Sequence, residues 1–468
     1  MLPRPNKGLK NEIKTTIATI FLLVTLLQHV HAIDEGTASS WYFDLVPFDL
    51  TYQLLATNTT GNFFLGYANP SMPLSLAMSN NLYLGGHWAI KYFFNPEKDL
   101  ANFIVHYAVT IGFDFLANYL PFGLTWLHEE YHRNVLTGYE VSSINQANFF
   151  PFGKDAVYVF GIQDSGLAKI NDNHNADFRR LMTAGVEAQY HQIQRLQMYN
   201  FFYKEKLTHH ILYILSTYNS IAYVFSSANG DLDEFVDKSN QKESTQHERD
   251  FTGPDFTAWV KALFDPNEPY SARGPHPLGN GINRYIKTSQ LSSHAKYYLA
   301  NVSLLHIINL VSPMMLGFTE IPIGTNSNGP MSFNFAFRNI LTSFGTDTNL
   351  DLFFKDPTLN LLFTFHVYQN YTSTFLGLEG TLWDYVLFKT PARLTLRGMV
   401  WQQPKDQSFT TTEGAFGGLL TLRFNYRIGL FSPYLELEAK TPGWVMGNVF
   451  LNENLSGRIG THIYLPSK

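Results

Sequence analysis

Cysteine is absent from this chain of 468 residues, so disulfide bonds cannot stabilise its fold. An excess of positive charge is also missing, because 33 lysines and arginines stand against 38 acidic residues. This balance does not suggest a nucleic-acid-binding protein. Apart from a regular succession of strand and turn patterns near the C-terminus, no repeat of fixed period is visible. The chain is long enough for several domains or one large domain with an appendage, so it can bury a sizeable hydrophobic core.

The N-terminus has the pattern of a secretory signal peptide. Four basic residues precede an apolar run over 17–27, and Val30-His31-Ala32 supplies small residues at the −3 and −1 positions of a cleavage site. We therefore predict a signal peptide over 1–32. The alternative is an uncleaved anchor helix, but the apolar run is short for a bilayer span.

Export without cysteine favours a bacterial cell envelope, either the periplasm or the outer membrane, over a eukaryotic disulfide scaffold. Removal of 1–32 takes away four basic residues and one acidic residue, which leaves 29 basic and 37 acidic residues. Phenylalanine and tyrosine are abundant, with 39 and 26 copies. Together these features predict membrane association and no nucleic-acid partner.

The segment His128-Glu129-Glu130-Tyr131-His132 is an H-E-x-x-H motif. Residues four apart share one face of a helix, so both imidazoles can bind one Zn²⁺. Glu129 follows the first ligand directly and can reach a zinc-bound water as a base. A structural role for the histidines, with Glu129 paired to Arg133, is the alternative.

The surrounding sequence predicts a helical region. Apolar residues recur at helical spacing from about 101, Pro121 breaks that run, and a second helix begins near Leu124 and ends at Gly138. Asn175 begins a long helix that continues to about Phe202. The apolar stretches 207–227 and 296–317 contain polar residues and are expected to be buried helices rather than membrane spans.

The motif resembles the active-site helix of the zinc metallopeptidases called zincins. The metzincin continuation is absent, because Val135 and Gly138 occupy the positions where that pattern needs glycine and histidine. The gluzincin branch takes its third zinc ligand from a glutamate on a later helix. The resemblance therefore implies a downstream helical glutamate, although the usual N-E-x-x-S-D string around that residue is not present.

Glu187 is the best candidate for this third ligand. Gly185 costs about 1 kcal/mol in a helix relative to alanine, which indicates a close approach of another backbone there. His191 lies one turn after Glu187 and can point to the same centre. Glu140 is a local competitor. The alternative role for Glu187 is an ion pair with Arg180 or Arg195.

These residues predict a mechanism for hydrolysis of peptide bonds in a peptide or protein substrate. Zn²⁺ lowers the pKa of a bound water and polarises the carbonyl, and Glu129 transfers the proton from water to the leaving amine. Tyr190 or His191 would stabilise the developing oxyanion. A di-iron site is not expected, because Glu187 and His191 do not form a second E-x-x-H.

From about Met331 the apolar residues alternate with polar ones. Phe363 and Phe365 flank Thr364, and Leu435 and Leu437 flank Glu436. Such alternation, punctuated by Gly and Pro, predicts seven or eight antiparallel strands joined as hairpins. It fits an outer-membrane barrel as well as a soluble sandwich or barrel.

The sequence therefore predicts an α+β protein: a signal peptide, a mainly helical metal-binding region and a barrel-like antiparallel β region. The boundaries that we predict are 1–32 for the signal, 33–95 for an aromatic-rich segment with short strands, 96–325 for the helical domain with a turn-rich insertion at 228–290, and 326–468 for the β region.

Two functions besides an exported metallopeptidase remain open. In the first, the chain is a non-enzymatic outer-membrane β-barrel in which the H-E-x-x-H motif is structural. In the second, it is a helical integral-membrane metallopeptidase with spans at 101–120, 211–227 and 299–317.

Overall fold

The computed structural model describes residues 42–60, 69–148, 158–203, 208–388 and 390–465. Helices dominate the first part of this chain and an antiparallel sheet the second, so the predicted α+β class is confirmed. The predicted signal peptide at 1–32 lies outside the described residues.

We number the α-helices in chain order. They are α1 (Leu50–Thr60), α2 (Met72–Phe93), α3 (Leu100–Ala117), α4 (Leu124–Gly138), α5 (Asp164–Asn173), α6 (Asn175–Tyr203), α7 (Thr208–Asn229), α8 (Asp233–Lys242), α9 (Asp255–Phe264) and α10 (Ser293–Leu305). Short 3₁₀ helices follow α10 at His306–Leu310 and Pro313–Leu316.

The strands are β1 (Tyr42–Asp49), β2 (Ile144–Asn145), β3 (Val159–Phe160), β4 (Ile321–Asn326), β5 (Gly329–Thr342), β6 (Gly345–Asp356), β7 (Leu359–Gln369), β8 (Thr374–Val386), β9 (Ala392–Pro404), β10 (Gly414–Tyr426), β11 (Phe431–Lys440) and β12 (Asn454–Tyr464). The eight strands from β5 onwards confirm the predicted series of hairpins.

The large sheet has ten strands in the order β1-β12-β11-β10-β9-β8-β7-β6-β5-β4. From β4 to β12, consecutive strands pair antiparallel, and β1 then joins the last strand with Tyr42 opposite Tyr464. Within the described ranges β1 and β4 are the two edges and do not pair, so the sheet is not a closed barrel.

The side chains of the sheet alternate, but the apolar ones point outwards. Leu435 and Leu437 are each 49% exposed, whereas Glu436 and Glu438 between and beside them are 6% exposed. The same inversion holds on β7, where Phe363 is exposed and Thr364 is buried. A sheet with one face in water normally buries its apolar side chains instead.

Helix α6 lies on the polar inner face of this sheet. Near its start, Arg179 donates hydrogen bonds to the carbonyl oxygens of Ser343 and Gln407. At its end, the hydroxyl of Tyr203 donates to Asp384. Because both ends contact loops or ends of strands, the helix runs along the length of the sheet.

Helices α4 and α9 both pack against α6. The break that Pro121 predicts is confirmed, since α3 ends at Ala117 and α4 begins at Leu124. Gly138 ends α4 as predicted. The three helices α4, α6 and α9 therefore meet in one buried region.

One part of the N-terminal segment differs from the prediction. Residues 81–84 belong to the segment 33–95, for which short strands are predicted, but they lie inside helix α2. Ser71 caps this helix by accepting a hydrogen bond from the backbone N–H of Leu74, and Pro73 stands in the first turn. By contrast, residues 42–45 do form a strand.

Candidate metal centre

Helix α4 brings His128, Glu129 and His132 into the buried core. Both histidines lie on one face of the helix, with ring centroids 4.9 Å apart. All three side chains are buried. Polar side chains in such a place need hydrogen-bond or metal partners, because burial without a partner is costly.

The orientation of His132 is fixed from the other side of its ring. Its Nδ1 lies 2.6 Å from the carbonyl oxygen of Leu181 on α6, so this nitrogen carries the proton and donates it. The lone pair is thereby left on Nε2, which is buried and has no hydrogen-bond partner among the described residues. Metal-binding histidines typically show this arrangement.

Asp255, the first residue of α9, completes the group. Its Oδ2 lies 3.4 Å from Nε2 of His128 and 3.4 Å from Nε2 of His132. Donors bound to a tetrahedral ion at about 2.1 Å are about 3.4 Å apart. The buried group His128, His132 and Asp255 can therefore bind a metal ion.

Gly185 on α6 allows the two helices to approach at this point. A Cβ at this position would overlap Nε2 of both His128 and His132. The close approach expected at Gly185 is therefore present, but it involves the two imidazoles rather than another backbone.

The electrostatic environment prepares these groups for a cation. Burial raises the pKa of Asp255, but the two histidines outweigh this effect and lower its pKa to about 2. Burial lowers the pKa of His128, which keeps its imidazole neutral. Burial, together with the carboxylates of Asp250 and Asp255, raises the pKa of Glu129 well above its usual value. A divalent cation would offset this concentration of acidic groups.

Glu187, predicted as the third ligand, lies outside this group. Its Oε1 accepts hydrogen bonds from Arg180 at 2.7 Å and from the backbone N–H of Gly447 at 2.8 Å. Two residues along a helix correspond to a rotation of about 200°, so Glu187 points away from the face that Gly185 presents. Of the two roles considered for Glu187, the structure supports the ion pair with Arg180.

Tyr190 and His191, predicted to assist the reaction, also make their contacts elsewhere. The hydroxyl of Tyr190 accepts a hydrogen bond from Asn309 at 3.1 Å. Nδ1 of His191 lies 2.8 Å from the hydroxyl of Tyr131, and its ring packs against Gly447. Since both follow Glu187 by about one turn, they share its side of α6.

Sequence reasoning missed Asp255 because it lies in a region expected to be a loop insertion. The signal available was Gly253-Pro254-Asp255, in which an acidic residue follows a proline at the start of an apolar helical run. This signal is common at helix starts and does not by itself indicate a metal ligand.

The hydroxyl of Tyr223 is a further polar group beside the site. It accepts a hydrogen bond from the backbone N–H of Asp255 at 3.3 Å, and its ring lies 5.8 Å from that of His128. The site therefore combines two imidazoles, three carboxyl groups and one phenol from three helices (α4, α7 and α9) and from the segment before α9.

Comparisons with protein families, with curated proteins and with solved structures find no match to this chain.

Proposed function

We propose that this chain is a zinc-dependent metallopeptidase of the cell envelope. The observation that carries this proposal is the convergence of three buried donor atoms: Oδ2 of Asp255 lies 3.4 Å from Nε2 of His128 and 3.4 Å from Nε2 of His132. Two histidines and a carboxylate are the ligand set of several catalytic zinc sites, which keep one position open. The same set also binds Fe(II), so the metal must be measured.

Each residue has a defined role in this proposal. His128, His132 and Asp255 would hold the ion, and Leu181 orients His132 through its carbonyl oxygen. Zinc would lower the pKa of a bound water and polarise a peptide carbonyl. Glu129 takes the proton of the attacking water and delivers it to the leaving amine. Tyr223, instead of Tyr190 or His191, is the hydroxyl that we assign to the developing oxyanion.

The alternative in which the motif is only structural accounts less well for these contacts. A purely structural role would not require Nε2 of both imidazoles to converge on one buried carboxylate oxygen of Asp255, 3.4 Å from each nitrogen. The alternative pairing of Glu129 with Arg133 is not found, since Arg133 donates to both carboxylate oxygens of Glu130. We therefore infer that the motif binds a metal ion, which explains these contacts better than a purely structural role does.

The test is to measure metal content and peptide hydrolysis on the purified full-length chain. We expect one zinc per chain, lost in His128→Ala and Asp255→Ala. Glu129→Gln should keep the zinc but lower turnover of a fluorogenic peptide library by about 100-fold or more, because general-base catalysis contributes that much. Glu140→Gln, an exposed carboxylate two residues after α4, is the matched control and should keep both properties.

Three results would contradict the proposal: a wild-type chain without metal after growth in zinc-supplemented medium, iron in place of zinc, or full turnover in Glu129→Gln. Zinc retained by Asp255→Ala would remove Asp255 from the ligand set.

A further inference from the structure

The outer face of the sheet is almost entirely apolar. Among the exposed residues of strands β7 to β12, every side chain is aliphatic or aromatic except Thr374, which begins β8. Phe365, Leu378, Leu420 and Leu437 represent this surface. None of these exposed side chains is charged, whereas soluble monomers rarely expose contiguous apolar patches larger than a few hundred Å².

The inner face of the same strands is polar, and its charges are paired. Arg458 contacts the carboxylates of Asp49, Glu436 and Glu438. The sheet therefore places paired charges inside and apolar side chains outside, which is the reverse of a water-soluble sheet and the pattern of a β-sheet in lipid.

Helix α3 shows the same inversion independently. Its buried polar positions are His106, Thr110 and Asp114, and Asp114 pairs with His87 of α2 at 2.5 Å. Its exposed positions include Ile104 and Phe115. Only 22% of this helix is buried, its mean hydropathy is 1.5, and by length and composition it is able to cross a membrane.

The position of α3 connects these two surfaces. It packs against α2 and α7. Helix α2 packs against edge strand β1, and α7 packs against the 3₁₀ turns His306–Leu310 and Pro313–Leu316, which contact β5 near the other edge. Helix α3 therefore stands in the gap between the edges of the sheet, where it continues the apolar surface of the strands.

The dimensions of both surfaces match a bilayer. The 18 residues of α3 correspond to about 27 Å at 1.5 Å per residue. Strands of 10 to 13 residues, tilted by about 40°, span about 25–33 Å. The hydrocarbon core of a bilayer is about 30 Å thick.

We propose that the outer face of β7–β12 and the exposed face of α3 lie in the hydrocarbon core of a lipid bilayer, with acyl chains as their partner. A protein partner of standard size covers about 800 Å² on one side of a molecule. The apolar surface described here extends over six strands and, beyond the edges of the sheet, over helix α3. This inference does not depend on the metal site.

The absence of cysteine allows a direct test, since single-cysteine variants carry no background label. The full chain with Leu422→Cys, Leu437→Cys or Ile104→Cys is spin-labelled and reconstituted into phosphatidylcholine vesicles. Leu278→Cys, on the exposed loop before α10, is the matched control. Each label is then exposed to oxygen, which partitions into lipid, and to a polar nickel chelate, which does not.

We expect labels at positions 422, 437 and 104 to collide with oxygen more often than with the nickel chelate, and the label at 278 to show the opposite preference. Two results would overturn the proposal. Greater access of the nickel chelate at 422, 437 and 104 would place these positions in water, and shielding from both reagents would show that a second copy or another protein covers them.

Discussion

At the scale of single residues, Gly185 controls how closely helix α6 approaches the two imidazoles of the metal group. It faces the H-E-x-x-H motif, on the side where α6 covers Nε2 of both His128 and His132. Its lack of a side chain leaves the space in which an ion and its ligands can assemble.

We predict that Gly185→Ala weakens metal binding. The new methyl group would overlap Nε2 of His128 and His132 and displace both rings, so zinc affinity should fall by about 10- to 100-fold, as for other changes that misorient ligands. Overpacking should also lower the free energy of unfolding by about 1–3 kcal/mol. Zinc titration and urea unfolding measure the two effects.

Gly138→Ala is the control for this change. Gly138 ends the motif helix, and a Cβ there meets no atom within 4 Å. Alanine is the better helix former, so stability should stay the same or rise slightly and zinc affinity should not change. Equal zinc affinity in the two variants would show that Gly185 does not border the metal site.

Residue patterns in the sequence predict part of this site. His128, Glu129 and His132 are recognisable because their spacing is set by a single helix. The third ligand is not recognisable in this way, as Asp255 and Glu187 show. Its position depends on how α9 packs against α6 and α7, and a buried carboxylate suits an arginine as well as a metal ion. The spacing of residues along the sequence does not indicate whether a buried carboxylate pairs with an arginine or binds a metal ion.

At the scale of elements, a metal ion would join helix α4, which carries both histidines, to helix α9, which begins at Asp255. Helix α9 starts at Asp255, and the segment before it turns on hydrogen bonds from Phe251 and Gly253 to the carboxylate of Asp250. Burial and the neighbouring carboxylates raise the pKa of Asp250 and Glu129, so a nearby cation would stabilise their ionised forms.

We predict that removal of the metal loosens the start of α9. After chelation, amide hydrogen exchange over 250–258 should become faster by about tenfold or more, because the carboxylates lose their counter-charge. Mass spectrometry of exchanged peptides measures this change. Peptides from the β8–β9 pair, far along the sheet, provide the internal control and should not change. Unchanged exchange over 250–258 would argue against a metal ion held by Asp255.

The elements differ in how well the sequence predicts them. Helix α6 and the strands from β5 onwards have a clear period and begin or end at recognisable residues. Helix α2 lies in the segment for which short strands are predicted, and its adjacent Gly85 and Gly86 are poor helix formers. In the structure these glycines remain helical and make room for Phe43 and Phe113, which is a tertiary contact that no local pattern shows.

At the scale of the whole molecule, the charges between the strands form a network on the inner face of the sheet. Arg458 joins β12 to β1 through Asp49 and to β11 through Glu436 and Glu438. The period of two in the sequence predicts which residues share a face. It does not predict which face is buried, because that depends on what surrounds the molecule.

We predict that Arg458→Met lowers the free energy of unfolding by about 3–5 kcal/mol, because it leaves buried carboxylates without their main counter-charge. Urea unfolding followed by tryptophan fluorescence measures the loss. Lys405→Met is the control, since Lys405 forms an exposed ion pair with Glu413 and should change stability by less than about 1 kcal/mol. Similar losses in the two variants would mean that the inner network contributes little.

The pairing of β1 with β12 has a consequence for how the molecule forms. Ser456 contacts Asp49 across a separation of 407 residues, so this junction joins segments from distant parts of the polypeptide. Strand β1 emerges early from the ribosome, yet its neighbour emerges hundreds of residues later. Assembly therefore cannot follow the order of synthesis, and the first strand must be kept from pairing wrongly until the last hairpin arrives.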